Sequence, residues 1–136
     1  MGPLKTKMGI RIQSAGETGK HEHFVEGEAF FKGETVYLRY PEPEMGETWT
    51  TLRLKQGYYR LVRHGDVRSE MNFILSQKAA GYYQVAEGRM SLETYTVAMS
   101  LCASPQGGTV SWRYDLFMME QKAGSFSIRL DLEPIG

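Results

Sequence analysis

At 136 residues the chain has the length of one domain, enough to bury a core without disulfides or a structural metal. Sixteen basic and sixteen acidic residues cancel, which argues against nucleic acid or an anionic membrane as the main partner. Cys102 is the single cysteine, so no internal disulfide forms, and no run approaches the ~20 apolar residues of a membrane span.

Residues 1–7 lack apolar alternation, and no apolar signal core follows Lys5 and Lys7, so this stretch reads as a loose leader. Residues 8–136 read as a single domain in a cytoplasmic protein. The first strand is 10–14, with Ile10 and Ile12 on one face, followed by a polar loop at 16–20. The second spans 21–31; neither face is cleanly apolar, which predicts a bulge or bend near Gly27. Lys32-Gly33-Glu34 turns the chain into a third strand, 35–40, with Val36, Leu38 and Tyr40 in phase. Two prolines and a glycine make 41–46 an exposed loop.

Strands four and five are 48–55 and 58–63, joined at Gln56-Gly57. The sixth, 67–76, places Val67, Ser69, Met71, Phe73 and Leu75 in phase. The seventh and eighth are 82–85 and 90–101, separated by Glu87-Gly88. Loop 104–108 precedes the ninth strand, 109–119, and the tenth, 125–133, follows a turn at Lys122-Ala123-Gly124. In the last strand Phe126, Ile128, Leu130 and Leu132 alternate with polar residues, the pattern of one buried face. About ten strands with short turns describe an all-β, up-and-down antiparallel sheet. Closure into one barrel removes the two edges that an open sheet would expose; a sandwich usually needs longer crossovers.

From residue 10 to 133 the chain resembles the YwiB-like family of bacterial proteins. The resemblance rests on Gly27 with Phe30-Phe31-Lys32, then Val36-Tyr37-Leu38-Arg39-Tyr40 with Glu42, and Thr50-Thr51. It continues through Arg63, Gly65, Met71, Phe73, Tyr83, Gly88, Met90, Leu92, Thr94 and Thr96 to Tyr114-Asp115-Leu116. The family is uncharacterised in function and its structures are calycin-like β-barrels. The resemblance therefore implies a single closed, calycin-like or lipocalin-like barrel and carries over no catalytic residue or cofactor. The proline-rich loop and His21-Glu22-His23 depart from the pattern.

Three sets of residues are chemically suggestive. Arg63, Tyr83, Thr94, Thr96, Trp112 and Tyr114 share phase with apolar positions and are expected to point into the barrel, although Arg60 and Val62 make a competing face on the fifth strand. There they offer an aromatic wall, hydroxyls and one guanidinium, suited to a small anionic or amphipathic ligand. The competing assignment is a filled barrel in which Arg63 sits at a rim or pairs with Glu42 or Asp115, since a lone buried charge is costly. His21 and His23 lie two apart on a strand and, with His64 and Asp66, are the candidates for a metal site. A solvated strand start next to Gly19-Lys20 is the preferred reading of the two histidines. Cys102 and the serines lack any activating neighbour in sequence.

Tyr37, Trp49, Tyr58, Tyr82, Tyr95, Phe117 and Met119 fall on the opposite, outward phase, as an interface or as scattered singles. Arginines interleave with some of them, a pattern that also admits single-stranded nucleic acid, but zero net charge sets this aside. The leading reading is a non-enzymatic binding protein with a small ligand in or at the mouth of the barrel, and no cofactor. The alternative is a homo-oligomeric interaction module, in the simplest case a homodimer, working through the outer surface. A metal-dependent enzyme using the histidines ranks third.

Overall fold

A computed structural model describes residues 4–136. Its strands are β1 (Leu4–Gly16), β2 (Gly19–Lys32), β3 (Thr35–Pro41), β4 (Thr48–Lys55) and β5 (Tyr58–Gly65). They continue as β6 (Ser69–Ile74), β7 (Lys78–Val85), β8 (Gly88–Ser104), β9 (Gly107–Met118) and β10 (Gln121–Pro134). Each is antiparallel to its neighbours in chain order, and β1 pairs with β10 to close the barrel. The expected architecture is therefore the observed one. Among the described residues the one helical element is a short turn at Pro43–Met45, inside the predicted loop.

Alternation places Met8, Ile10 and Ile12 of β1 inside, beside Leu130 and Leu132 of β10. The same phase buries Leu38, Leu52, Leu61 and Met71 around the wall. Tyr59, Phe73 and Trp112 fill the middle, fully buried, with Trp112 5.2 Å from Tyr59 and 5.4 Å from Phe73 between ring centres. Aromatic rings meeting edge-on or tilted at this spacing pack at interior density, so the centre of the barrel is core.

Two one-residue bulges reset the alternation. The register between β8 and β9 shifts between Thr96 and Ala98, leaving Val97 exposed, and that between β10 and β9 shifts between Lys122 and Gly124. Leu92, Thr94 and Thr96 therefore face inward before the first bulge, and Met99, Leu101 and Ala103 after it. Beyond Val97, β8 has no partner in β7, and Gln56 in the β4–β5 turn donates to the Leu101 carbonyl at 3.0 Å.

Several sequence expectations need correction. The leader is strand from Leu4 onward: Leu4 to Lys7 pair with Phe31 to Glu28, and Lys5 lies 3.4 Å from Glu28. Backbone pairing and cross-strand contacts hold this stretch without apolar alternation. Residues 1–3 lie outside the described residues. No bulge falls at Gly27, since β1 and β2 pair in continuous register; the glycine is needed because a Cβ there would come 2.5 Å from the Arg39 carbonyl and 2.9 Å from Tyr40 Cβ. The sixth strand is shorter than expected, leaving Leu75 exposed, and the seventh begins earlier, at Lys78.

The shortest ladder, β6 to β7, pairs only Ser69 with Tyr83 and Glu70 with Tyr82. Side chains extend it: Asn72 donates to the Ala80 carbonyl at 3.0 Å, and the Thr94 hydroxyl donates to the Asn72 carbonyl.

Candidate functional site

Because neighbouring strands alternate in direction, the ends of β3, β5 and β7 and the starts of β2, β4 and β6 meet at one end of the barrel. Tyr40, Thr50, Arg63, Ser69 and Tyr83 are successive cross-strand partners there. Glu42, just past β3, folds back over them and is only 5% exposed. Its backbone N–H donates to the Thr48 carbonyl at 2.8 Å, and its carbonyl accepts from Met45 at 2.9 Å, so the loop holds the carboxylate in place.

The Thr50 hydroxyl donates to Glu42 Oε1 at 2.8 Å. Arg63 Nη2 lies 3.7 Å from the same oxygen, and His23 Nε2 lies 3.8 Å from Glu42 Oε2. Burial, reinforced by the Glu42 carboxylate, holds the Tyr40 hydroxyl well above the ordinary tyrosine range, against a smaller opposing pull from Arg63. Tyr114 is pushed up to about 12 by burial, again against Arg63. Six buried side-chain atoms have no hydrogen-bond partner among the described residues: His23 Nε2, Tyr59 OH, Arg63 Nε, Ser69 Oγ, Thr96 Oγ1 and Trp112 Nε1. All six belong to inward-phase residues; His23 and Arg63 face Glu42, and Ser69 is the cross-strand partner of Arg63.

The residues singled out in the sequence thus divide. Arg63 and Tyr83 lie at this end, Tyr83 more than a third exposed. Tyr114 is stacked on Phe126 and packed 4.7 Å from Phe73, within the core. Trp112 and Thr96 lie deeper, and Thr94 spends its hydroxyl on the β6–β7 ladder. Of the two alternatives weighed for Arg63, the partner is Glu42; Asp115 instead faces Lys122 at 3.5 Å and accepts from Ser125 at 2.7 Å. His23, read from the sequence only as a metal candidate or a solvated strand start, is the residue here that sequence reasoning placed elsewhere.

The histidine set does not assemble. His21 is exposed, His23 faces Glu42, and His64 is exposed beside Trp49 on the outward phase. No group of three or more potential metal ligands occurs among the described residues.

The outer wall carries the open space. A groove of about 540 Å³ crosses β2, β1, β10, β9 and β8. Gln13, Ala15, Ala98, Ser100, Ser111, Arg113, Ser127 and Arg129, all outward in phase, line it, together with Lys20 and Glu22. Every inward-phase residue bordering it lies between two of these in sequence, which places the groove on the outside. Small side chains on adjacent strands form its floor. A second concavity lies further along the same strands, beside Arg11, Glu26 and Glu133, with Phe24 at its lip, 70% exposed. The outward aromatics noted in the sequence lie elsewhere, and cations cover three of them: Arg39 over Trp49, Lys78 over Phe117 and Arg89 over Tyr82.

Fold and site together define a closed, antiparallel β-barrel with a packed centre, one polar end and a grooved outer wall. The chain belongs to the family described as a domain of unknown function, DUF1934, whose model matches residues 6–130. It is 22% identical over 123 residues to the uncharacterized beta-barrel protein YwiB of Bacillus subtilis (strain 168), covering 87% of each chain. The crystal structure of the ywiB protein from Bacillus subtilis superposes with a TM-score of 0.87 at 20% identity, over 99% of this chain and 96% of that one. The family resemblance read from the residues is thereby established, and the shared fold with it.

Proposed function

We propose that this protein is a non-enzymatic binding module that works through the outer wall of its barrel. The carrying observation is where space lies: the centre is closed by Tyr59, Phe73 and Trp112, whereas the wall over β1 and β10 holds a groove of binding-site size. Arg63, expected to grip an anion, already faces Glu42, so an anionic ligand there would have to displace or repel a carboxylate.

A second reading keeps a small ligand at the polar end. It is favoured by the unpartnered buried atoms of His23, Arg63 and Ser69 at this end. Since Arg63 and Glu42 balance, the ligand suited to this end is polar and without net charge.

Native mass spectrometry against the denatured mass separates the readings. The outer-wall reading expects assemblies that weaken when Ser111→Arg fills the groove and persist in Arg63→Met. A small-molecule adduct lost in Arg63→Met and kept in Ser111→Arg would move the site to the barrel end.

A further inference from the structure

We infer that the outer wall over β2, β1 and β10 docks a second copy of this chain, with the two copies related by a twofold axis lying across the strands. This rests on the outer-wall reading and names its partner.

Outward positions on these strands form successive cross-strand rows. The middle two rows are self-neutralised: Arg11 donates to Glu22 at 2.8 Å, and Arg129 Nη2 lies 3.1 Å from Asp131. The flanking rows are not. At the β1–β2 turn end stand Lys20 and Arg113; three rows further along, beyond the two middle rows, stand Glu26 and Glu133. None of these four belongs to an ion pair among the described residues. Counting the exposed Glu17, which borders the same concavity as Arg113, and the exposed Lys7 on the next outward position of β1 beyond Gly9, the turn end keeps one net positive charge and the far end one net negative charge.

A surface of this kind complements itself. A twofold axis lying in the wall and crossing the strands reverses the order of the rows, so the acidic row of each copy meets the basic row of the other. A different partner would need to match both signs in the same order, whereas a second copy does so by symmetry. Apolar contact comes from Phe24, 70% exposed on β2 between the two concavities; the same operation lays it against the lip of the partner's groove. An exposed aromatic side chain is the kind of residue that anchors such a contact. The four strands β2, β1, β10 and β9 with their four outward rows span on the order of 500 Å², below the ~800 Å² per partner of a standard interface and in the range of a weaker, concentration-dependent dimer.

Sedimentation velocity of the full chain over a wide concentration range is the test. Dimer is expected, with Phe24→Ala raising the dimer dissociation constant about tenfold or more. Lys20→Glu with Arg113→Glu, and separately Glu26→Lys with Glu133→Lys, each dissociate the homodimer; all four sites are exposed, so the barrel tolerates them. Mixing the two reversed chains restores association as a heterodimer, which a nonspecific loss of stability would not do. A monomer at every concentration overturns the inference, as does a dimer indifferent to Phe24→Ala and to both reversals. If that monomer still forms a wall complex sensitive to Ser111→Arg, the outer-wall reading stands and the second copy alone is removed. If its complexes respond only to Arg63→Met, both fall.

Discussion

Glu42 sets the character of the barrel end. It takes a hydrogen bond from Thr50 and faces Arg63 and His23 from a nearly dry position. Removing it leaves a half-buried guanidinium without its counter-charge and a buried hydroxyl without its acceptor. Glu42→Ala should therefore cost about 2 kcal/mol of unfolding free energy. Adding Arg63→Met should return part of that loss, because the stranded charge goes with it. Urea unfolding of the two single variants and the double variant checks this; simple additivity would mean the two side chains are not coupled. Arg63 could be read from the sequence as an inward cation needing a partner. Choosing Glu42 over Asp115 could not, because a proline-rich loop gives no phase from which to predict where its carboxylate points.

At the scale of the strand, the bulge at Val97 decides which half of β8 is core. If Val97 were paired in regular alternation instead of bulged out, Ala98, Ser100 and Cys102 would turn inward, and Met99, Leu101 and Ala103 outward. Deleting Val97 should join Thr96, opposite Tyr114, directly to Ala98, opposite Arg113, keep both faces and cost little more than Val97→Ala, which only trims an exposed side chain; thermal unfolding compares them. Gly27→Ala tests a different constraint. Its added methyl meets the Arg39 carbonyl and Tyr40, an overpacking that costs about 1–3 kcal/mol. Strand order and most turns were legible because apolar alternation and Gly-containing breaks are local signals. Bulges were not, because the eighth segment reads as plausible alternation in either phase.

For the molecule as a whole, buried tyrosines set the alkaline limit. Burial pushes Tyr59 and Tyr114 from 10.0 to about 12. Above pH 10 the unfolded chain has begun to release these protons while the folded chain retains them. The native state then binds more protons, so stability falls as pH rises from about 10 to 12 and is unaffected by these groups below that window. Unfolding free energies at stepped pH, with tyrosinate absorbance followed in parallel, should show ionisation of the buried tyrosines coinciding with unfolding. Tyr59→Phe should flatten part of the slope. A full tyrosinate signal from a still-folded chain would contradict this account.

The sequence by itself determined an all-β chain, about ten antiparallel strands, closure into one barrel and membership of its family. Each follows from period-two patterning, turn residues and residue order, which are properties of the chain in one dimension. It also supplied the inward phase of Arg63, Trp112 and Tyr114 and the need for an Arg63 partner. Only the tertiary structure decided that the centre is filled, because packing depends on how side chains from strands far apart in sequence meet. Only closure of β1 on β10 brought Lys20 and Arg113 to one end of a wall and Glu26 and Glu133 to the other. The charge pattern that motivates self-association arises from that register, and no stretch of the chain carries it alone.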